Sequence, residues 1–479
     1  MKNIFRWAVP AVQAVVSAVL LYLLLTCGMI PAKYLGMAGA VLVLLLLINI
    51  WFSGSDNLSV RIMAAILTAA VSAVLLIAAV NIRQIMKTLD GITASDKEKV
   101  IMIAAVPERS AARSIEDTSG FTFALYAGAD EDAAKEMVKE IELLNGDTGL
   151  HIQSYDSVLE MAQALLDGEA DGAIYNQAYT ALLDDVLYDY SSQIRVIHEK
   201  DSDAELSVNG GEDADGAFGA DVSLTEDTYT VYISGIDVSG PINTTSRSDV
   251  NILMTVNPNT HRILLTTTPR DYYVYIPGIS GGERDKLTHA GVYGIRSSIR
   301  AMESLYGIDI SNYIRINFDS LIQLVDTLGG VDVNSEYEFD SGNYHFVKGI
   351  NHLDGDQALS FSRNRHSFED GDNQRGRNQL LVLEAIIDKL QSPALLKNSS
   401  GVLDVVGRSM QTSIQTSQIT EAISWQLDNP QRWEISRQAV TGIGDSRETF
   451  SMPGKELYVM WPDEESVRDA AQKIEEVLK

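Results

Sequence analysis

The pattern of apolar and polar positions divides this chain into three regimes. Over roughly the first ninety residues, apolar side chains run without a charge through residues 8–29, 35–52 and 62–80. Polar breaks at residues 31–33 and 53–61 separate these runs. Each is about as long as a bilayer-spanning helix requires, roughly 17–25 residues. A cleaved leader would show one such run and a small-residue cleavage site, so the pattern predicts three transmembrane helices in residues 1–90. Lys2 and Arg6 precede the first span and the next loop offers only Lys33. That bias places the N-terminus in the cytoplasm and everything after about Arg83 outside the cell.

The second regime, residues 91–198, alternates short β-prone runs with amphipathic helical ones. Residues 100–106, 121–126, 150–153, 172–175 and 194–198 read as strands, with helices at 133–144, 156–166 and 177–187 between them. Alternation at this spacing predicts a small α/β accessory domain with a parallel sheet. Ser154, Asp156 and Asp171 fall near strand ends, where helix capping explains them as well as ligand binding does. Residues 199–227 are rich in Asp, Glu, Gly and Ser and read as an acidic linker.

From residue 228 to 479 the runs lengthen. Strands are expected at 229–236, 249–256 and 262–268, the last two joined by the turn residues Asn257, Pro258, Asn259 and Thr260. A helix from about Gly291 ends at Gly307, and another spans 320–328 with Leu321, Leu324, Val325 and Leu328 on one stripe. Further on, Leu380, Leu383, Ile387 and Leu390 have helical core spacing. Helices at 392–408, 417–427 and 464–478 and a strand at 433–439 close the chain; core packing accounts for them all.

Composition narrows the chemistry. A formal charge of −28, with 65 acidic against 37 basic residues, argues against nucleic-acid binding. The single cysteine, Cys27, lies in the first span, leaving about 390 residues outside the membrane with no disulfide or thiol chemistry. Seven histidines show no zinc-type spacing. Against this acidic background, Arg363, Arg365, Arg375 and Arg377 fall within fifteen residues. On an extended strand Arg363 and Arg365 point to one face, where two guanidinium forks suit an oligophosphate. A salt-bridge strip balancing Glu369, Asp370 and Asp372 explains the same segment. Arg375 and Gln379, four apart at a helix start, share a face that favours anions.

Read in order, Asp237, Arg247-Ser248-Asp249, Pro269-Arg270-Asp271 with Ile276-Pro277-Gly278, Lys286-Leu287, Leu328-Gly329-Gly330-Val331-Asp332, and Ser362-Arg363-Asn364-Arg365 with 372–379 form a set. From about Tyr229 to Leu390 the chain resembles the LytR–CpsA–Psr family of membrane-anchored bacterial enzymes. The three spans and extra ectodomain look most like its capsule-associated branch. Members often read Asp-x-Gly-Arg-x-x-Arg-Gln where this chain has Asp372-Asn373-Gln374-Arg375-Gly376-Arg377-Asn378-Gln379, so the second arginine is displaced by one position.

The resemblance implies an α/β fold: an α/β/α sandwich with a mainly β centre and a lipid-binding cavity. It implies transfer of a glycopolymer, such as capsular polysaccharide or teichoic acid, from a polyprenyl-diphosphate carrier to peptidoglycan, outside a bacterial membrane. Arg270, Arg363 and Arg365 are then the catalytic cations, with Asp372 as the candidate base or as an orienting group. Arg375, Gln379 and Lys286 are expected to bind substrate, and Asp237 and Asp249 to ligate Mg²⁺ or Mn²⁺; without the resemblance, a strand-end turn acid and a salt bridge to Arg247 are the preferred explanation of that acid pair. Three rivals stand beside this reading. A pyrophosphatase or phosphodiesterase would use the same residues with water as acceptor. A non-catalytic regulator would sense lipid-linked glycan, and a structural module would bind the wall.

Overall fold

The computed structural model describes residues 2–93, 98–146, 150–202, 222–236, 242–391, 405 and 410–479. Three helices open it: α1 (Lys2–Thr26), α2 (Ala32–Ser53) and α3 (Leu58–Thr93). All three are long and apolar enough to cross a membrane, over Trp7–Thr26, Ala32–Ser53 and Leu58–Leu89. The few polar side chains face each other. Asn49 Nδ2 donates to Gln13 Oε1 and to Thr68 Oγ1, both at 2.6 Å, and Ser53 donates to Asn49 Oδ1 at 3.0 Å. An apolar bilayer offers these groups no partner, so the three helices pack around them.

The accessory unit comprises β1 (Val100–Pro107), β2 (Thr122–Leu125), α4 (Glu131–Leu144), β3 (His151–Ser154), α5 (Val158–Asp167), β4 (Gly172–Asn176), α6 (Thr180–Val186), α7 (Tyr190–Gln193) and β5 (Ile194–Ser202). Its sheet runs β3-β2-β4-β1-β5. The expected all-parallel sheet is corrected here. β2 lies parallel to β3 and β4, whereas β1 is antiparallel to both β4 and β5. The cause is the β1–β2 connection: a 3₁₀ turn at Ile115–Thr118 replaces a crossover helix, so β1 enters the sheet reversed.

The larger domain is built on β6 (Tyr229–Ile236), β7 (Ser248–Asn257), β8 (Arg262–Thr268), β9 (Tyr273–Tyr275) and β10 (Arg284–Lys286). There follow α8 (Leu287–Ala290), α9 (Ile295–Tyr306), β11 (Asn312–Asn317), α10 (Phe318–Thr327), β12 (Val331–Ser335), β13 (Phe339–Ser341), β14 (Tyr344–Phe346) and β15 (Gly349–Leu353). The last part holds α11 (Gly355–Arg363), α12 (Gly371–Leu390), β16 (Met410–Thr412), α13 (Thr416–Asp428), β17 (Glu434–Ala439), β18 (Gly442–Thr449), β19 (Met452–Pro462) and α14 (Glu464–Leu478). The helix expected at 392–408 falls almost wholly outside the described residues. The β7–β8 hairpin closes as its turn residues imply, with Asn257 Oδ1 accepting from the Asn259 and Thr260 amides at 3.1 and 3.2 Å. At the end of α9, Gly307 takes the left-handed conformation, φ 67°, that only glycine enters freely.

The central sheet runs β16-β11-β6-β7-β8-β17. Its side chains alternate between two cores, as a pleated sheet requires. Tyr232, Leu253 and Leu264 pack with α9, α14 and the accessory unit in one continuous core. Ile233, Ile252, Ile263 and Leu265 pack on the other face against Leu380, Leu383 and Ile387 of α12. The result is an α/β/α sandwich with the accessory unit welded to one side.

Candidate active site

Strand register sets the first pair of charges. β7 and β8 are antiparallel with Asn251 opposite Thr268, so two residues further along Asp249 faces Arg270. The Arg270 guanidinium meets Asp249 Oδ1 at 3.1 Å, and the Thr288 hydroxyl donates to the same oxygen at 3.1 Å. Asp271 braces the neighbouring side chains, 3.6 Å from Arg270 Nε and 3.1 Å from Lys286 Nζ.

The second group comes from α11 and α12. Asp354 and Gln357 form a reciprocal capping box that starts α11, and Ala358 and Phe361 bury its inner face. Arg363 is therefore the last residue of a helix, and the extended strand expected for Arg363 and Arg365 is corrected. The helix ends at Asn364, whose extended backbone (φ −66°, ψ 127°) carries Arg365 to the same opening. Arg363 sits at a helix C-terminus, where a cation is favoured, with its guanidinium 4.4 Å from the centre of the Phe318 ring. At the start of α12, Gly376 lies where a Cβ would come within 3.1 Å of Thr267. That close approach turns Arg375 and Gln379 together toward the opening, while Arg377 leaves it for Asp370 at 3.0 Å and Gln374 at 2.8 Å.

These elements enclose a cavity of about 430 Å³. Its interior is apolar, with Ile233, Ile252, Ile316, Leu321, Val382 and Ile386 among the wall residues. Its polar rim carries five arginines, Arg247, Arg270, Arg363, Arg365 and Arg375, against two aspartates, Asp185 and Asp249. In a chain of net charge −28 this is a local excess of positive charge. Burial pushes the Asp249 carboxyl up, but the charges of Arg270, Arg247 and Arg375 outweigh it and hold the group below the usual carboxylate range. Burial works against Arg270, yet Asp249, Asp271 and Asp372 raise it further above the ordinary arginine value. Arg375 is shifted the other way, by burial and by the nearby Arg270 charge, against the pull of Asp372. A buried guanidinium pushed down by a like charge marks a site that an anion would relieve.

The structure thus brings Arg270, Arg363, Arg365, Arg375, Gln379 and Asp249 to one cavity. Asp372 lies just outside, in the cleft beyond Arg270 and Arg375, with Oδ1 at 3.2 Å from Arg375. Lys286 sits behind Arg270, its ammonium held by Asp271. Asp237 lies outside the described residues. Arg247, Phe318 and Asp185 were not among the candidates. Arg247 was legible, because it stands two residues before Asp249, just ahead of β7, and that spacing in extended chain puts both on one face. Asp185 was not, since it comes from α6 of the accessory unit to meet Arg247 at 2.6 Å.

Comparison with known proteins agrees with this architecture. The LytR_cpsA_psr family model matches residues 188–465. The polyisoprenyl-teichoic acid–peptidoglycan teichoic acid transferase TagU of Halalkalibacterium halodurans is 30% identical over 313 residues, 64% of this chain and 96% of that protein. Its namesake in Bacillus cereus is 34% identical over 231 residues, 48% of this chain and 73% of that protein. The Oceanobacillus iheyensis TagU is 34% identical over 202 residues, and the match spans 40% of this chain and 61% of that protein. Three apolar helices, a welded α/β unit and an arginine-rimmed apolar cavity are therefore the form that this membership takes, and the chain belongs to the LytR–CpsA–Psr family.

Proposed function

We propose that the chain transfers a glycopolymer from a polyprenyl-diphosphate carrier to peptidoglycan, with its α/β domains on the outer face of a bacterial membrane. The observation that carries the reading is the cavity: an apolar interior suited to a prenyl chain, rimmed by arginines suited to a diphosphate. The relatives' names, which couple a polyisoprenyl-linked polymer to peptidoglycan, support it. In the reaction, an acceptor hydroxyl attacks the glycan-bearing phosphorus. A new O–P bond forms, the bridging P–O bond breaks, and polyprenyl monophosphate leaves. Arg270, Arg363, Arg365 and Arg375 neutralise the charge that develops on the phosphate oxygens, in a setting where preorganised charge counts most. Gln379 adds a donor on the rim, and Lys286 with Asp271 fixes Arg270. Asp372 holds Arg375 and lies close enough to the rim to take the hydroxyl proton.

A divalent cation fits the donor set. Among the described residues, both hydrogen bonds to Asp249 end on Oδ1 and neither occupies Oδ2, and Mg²⁺ commonly uses one or two carboxylates with phosphate oxygens and water. Asp249, with Asp237, would hold Mg²⁺ or Mn²⁺, which supplies further neutralisation of the diphosphate when bound. The test is transfer by the purified full chain from a lipid-linked polymer, with and without peptidoglycan. Arg363→Ala and Arg365→Ala should each abolish transfer and leave the fold intact. Near-wild-type transfer by both variants would overturn the assignment, and release of polymer unaffected by peptidoglycan would favour hydrolysis.

A further inference from the structure

A second space adjoins the rim on the side away from the apolar cavity. It is an open groove of about 480 Å³ between the α11–α12 loop and strand β19. Arg365 and His366 wall both spaces, and Asp372 and Asn373 wall both the groove and the cleft beside Arg270 and Arg375. The groove's floor on the β19 side is Tyr458, which is 49% exposed. The phenol end of its ring lies over Gly444 of the paired strand, so close that a Cβ on Gly444 would come within 2.9 Å of the ring. The glycine thus lets an aromatic ring lie against the β18–β19 ribbon with half its surface open. Glu369, Asp370 and Asp372 line the opposite wall. Two of these carboxylates are already paired, Asp370 with Arg377 at 3.0 Å and Asp372 with Arg375 at 3.2 Å, so the groove offers a hydroxyl-rich chain hydrogen-bond partners beside a stacking surface.

We propose that this groove binds the acceptor saccharide, with Tyr458 as the platform on which a sugar ring stacks and the Asp372 side as the end that presents the acceptor hydroxyl to the phosphate. The inference rests on the transfer reading above and adds to it the path by which the acceptor arrives. The apolar cavity and the groove then meet at Arg365, one holding the carrier and the other the acceptor.

The experiment uses the full chain in detergent, with a peptidoglycan tetrasaccharide as the acceptor probe and undecaprenyl diphosphate as the carrier probe. Tyr458→Ala should raise the KM for the tetrasaccharide about tenfold, the loss of one aromatic stack, while the Kd for undecaprenyl diphosphate stays at the wild-type value. Tyr458→Trp, which keeps a platform, should retain a KM near that of the wild type. An unchanged acceptor KM in Tyr458→Ala overturns the proposal. So does a raised KM for the lipid-linked donor alone, which would assign the groove to the donor glycan. Direct titration of the tetrasaccharide by calorimetry separates this from the transfer reading. Binding that weakens in Tyr458→Ala supports the groove even if no transfer is seen, and absence of binding to the wild type sinks it.

Discussion

Replacing Glu98 with alanine removes the carboxylate that answers the most deeply buried cation among the described residues. Arg315, on β11, is 1% exposed, and its guanidinium contacts Glu98 directly; the second polar contact, Nη1 to Gln411 Oε1, is long at 3.4 Å. Glu98 also accepts from the Ile295 amide at 2.9 and 3.0 Å, which caps the start of α9. Breaking a buried pair by deleting one partner costs about 3–5 kcal/mol, because the remaining charge stays in low dielectric without compensation. For a domain of 150–250 residues, where each kcal/mol moves the midpoint by about 2–4 °C, that corresponds to a drop of roughly 6–20 °C. Thermal unfolding of the detergent-solubilised chain, followed by hydrogen exchange on β11, measures it. The companion variant Glu98→Ala with Arg315→Met removes both charges and should recover most of the loss, since apolar replacement of a buried pair is often neutral or better. A single-variant loss below about 1 kcal/mol, the scale of an exposed ion pair, would refute the reasoning. A double variant no more stable than the single one would assign the loss to the Ile295 cap instead.

Two further outcomes follow from charges elsewhere. Asp130 in the accessory unit is buried, which pushes its carboxyl up to about 6 in spite of the Asn176 amide that donates to it at 2.8 Å. Its pKa in the unfolded chain is about 3.9, so between about pH 4 and 6 the folded state holds the extra proton and stability falls as pH rises. Asp130→Asn should flatten that slope and gain about 2–3 kcal/mol above pH 6, as read from denaturant midpoints across the range; an unchanged slope would discount the buried acid. Asp185→Asn removes the carboxylate held against Arg247 and raises the net charge of the rim. Affinity for inorganic pyrophosphate should rise by up to about fivefold, more at low salt than at high, and unchanged or weaker binding in calorimetry would show that Asp185 instead holds Arg247 in its working position.

What was legible in the sequence follows from the range of the interactions that specify it. Three charge-free runs were enough for α1 to α3, because hydropathy alone decides whether a helix suits a bilayer. The β6–β8 meander was legible because Asn257, Pro258, Asn259 and Thr260 fix the hairpin locally. The two-residue spacing of Arg363 and Arg365 suggests a strand, but the Asp354 and Gln357 capping box upstream is a readable helix-start signal and it prevails. The reversed β1 and the reach of Asp185 to Arg247 are tertiary outcomes with no local signature. The groove under Tyr458 belongs to the same class, since it needs a loop near residue 370 and a ribbon near residue 458 to meet.

The membrane unit does more than tether the catalytic domain. Lys33, in the loop side of α2, pairs with Asp428 of α13 at 2.7 Å, and Gly28 lies against the Thr420 side chain. Glu98, five residues beyond the end of α3, is already tied to Arg315 and the Ile295 amide, and Lys99 exchanges backbone hydrogen bonds with Asn243 and Thr245 just ahead of Arg247. The sandwich is therefore seated on the bundle at these contacts. Under the transfer reaction proposed above, its encounters with a bilayer-borne donor are lateral, in two dimensions and at one fixed height. For that proposed reaction, throughput depends on how fast the donor diffuses in the plane of the membrane and on how thick that membrane is, which makes lipid composition a kinetic parameter.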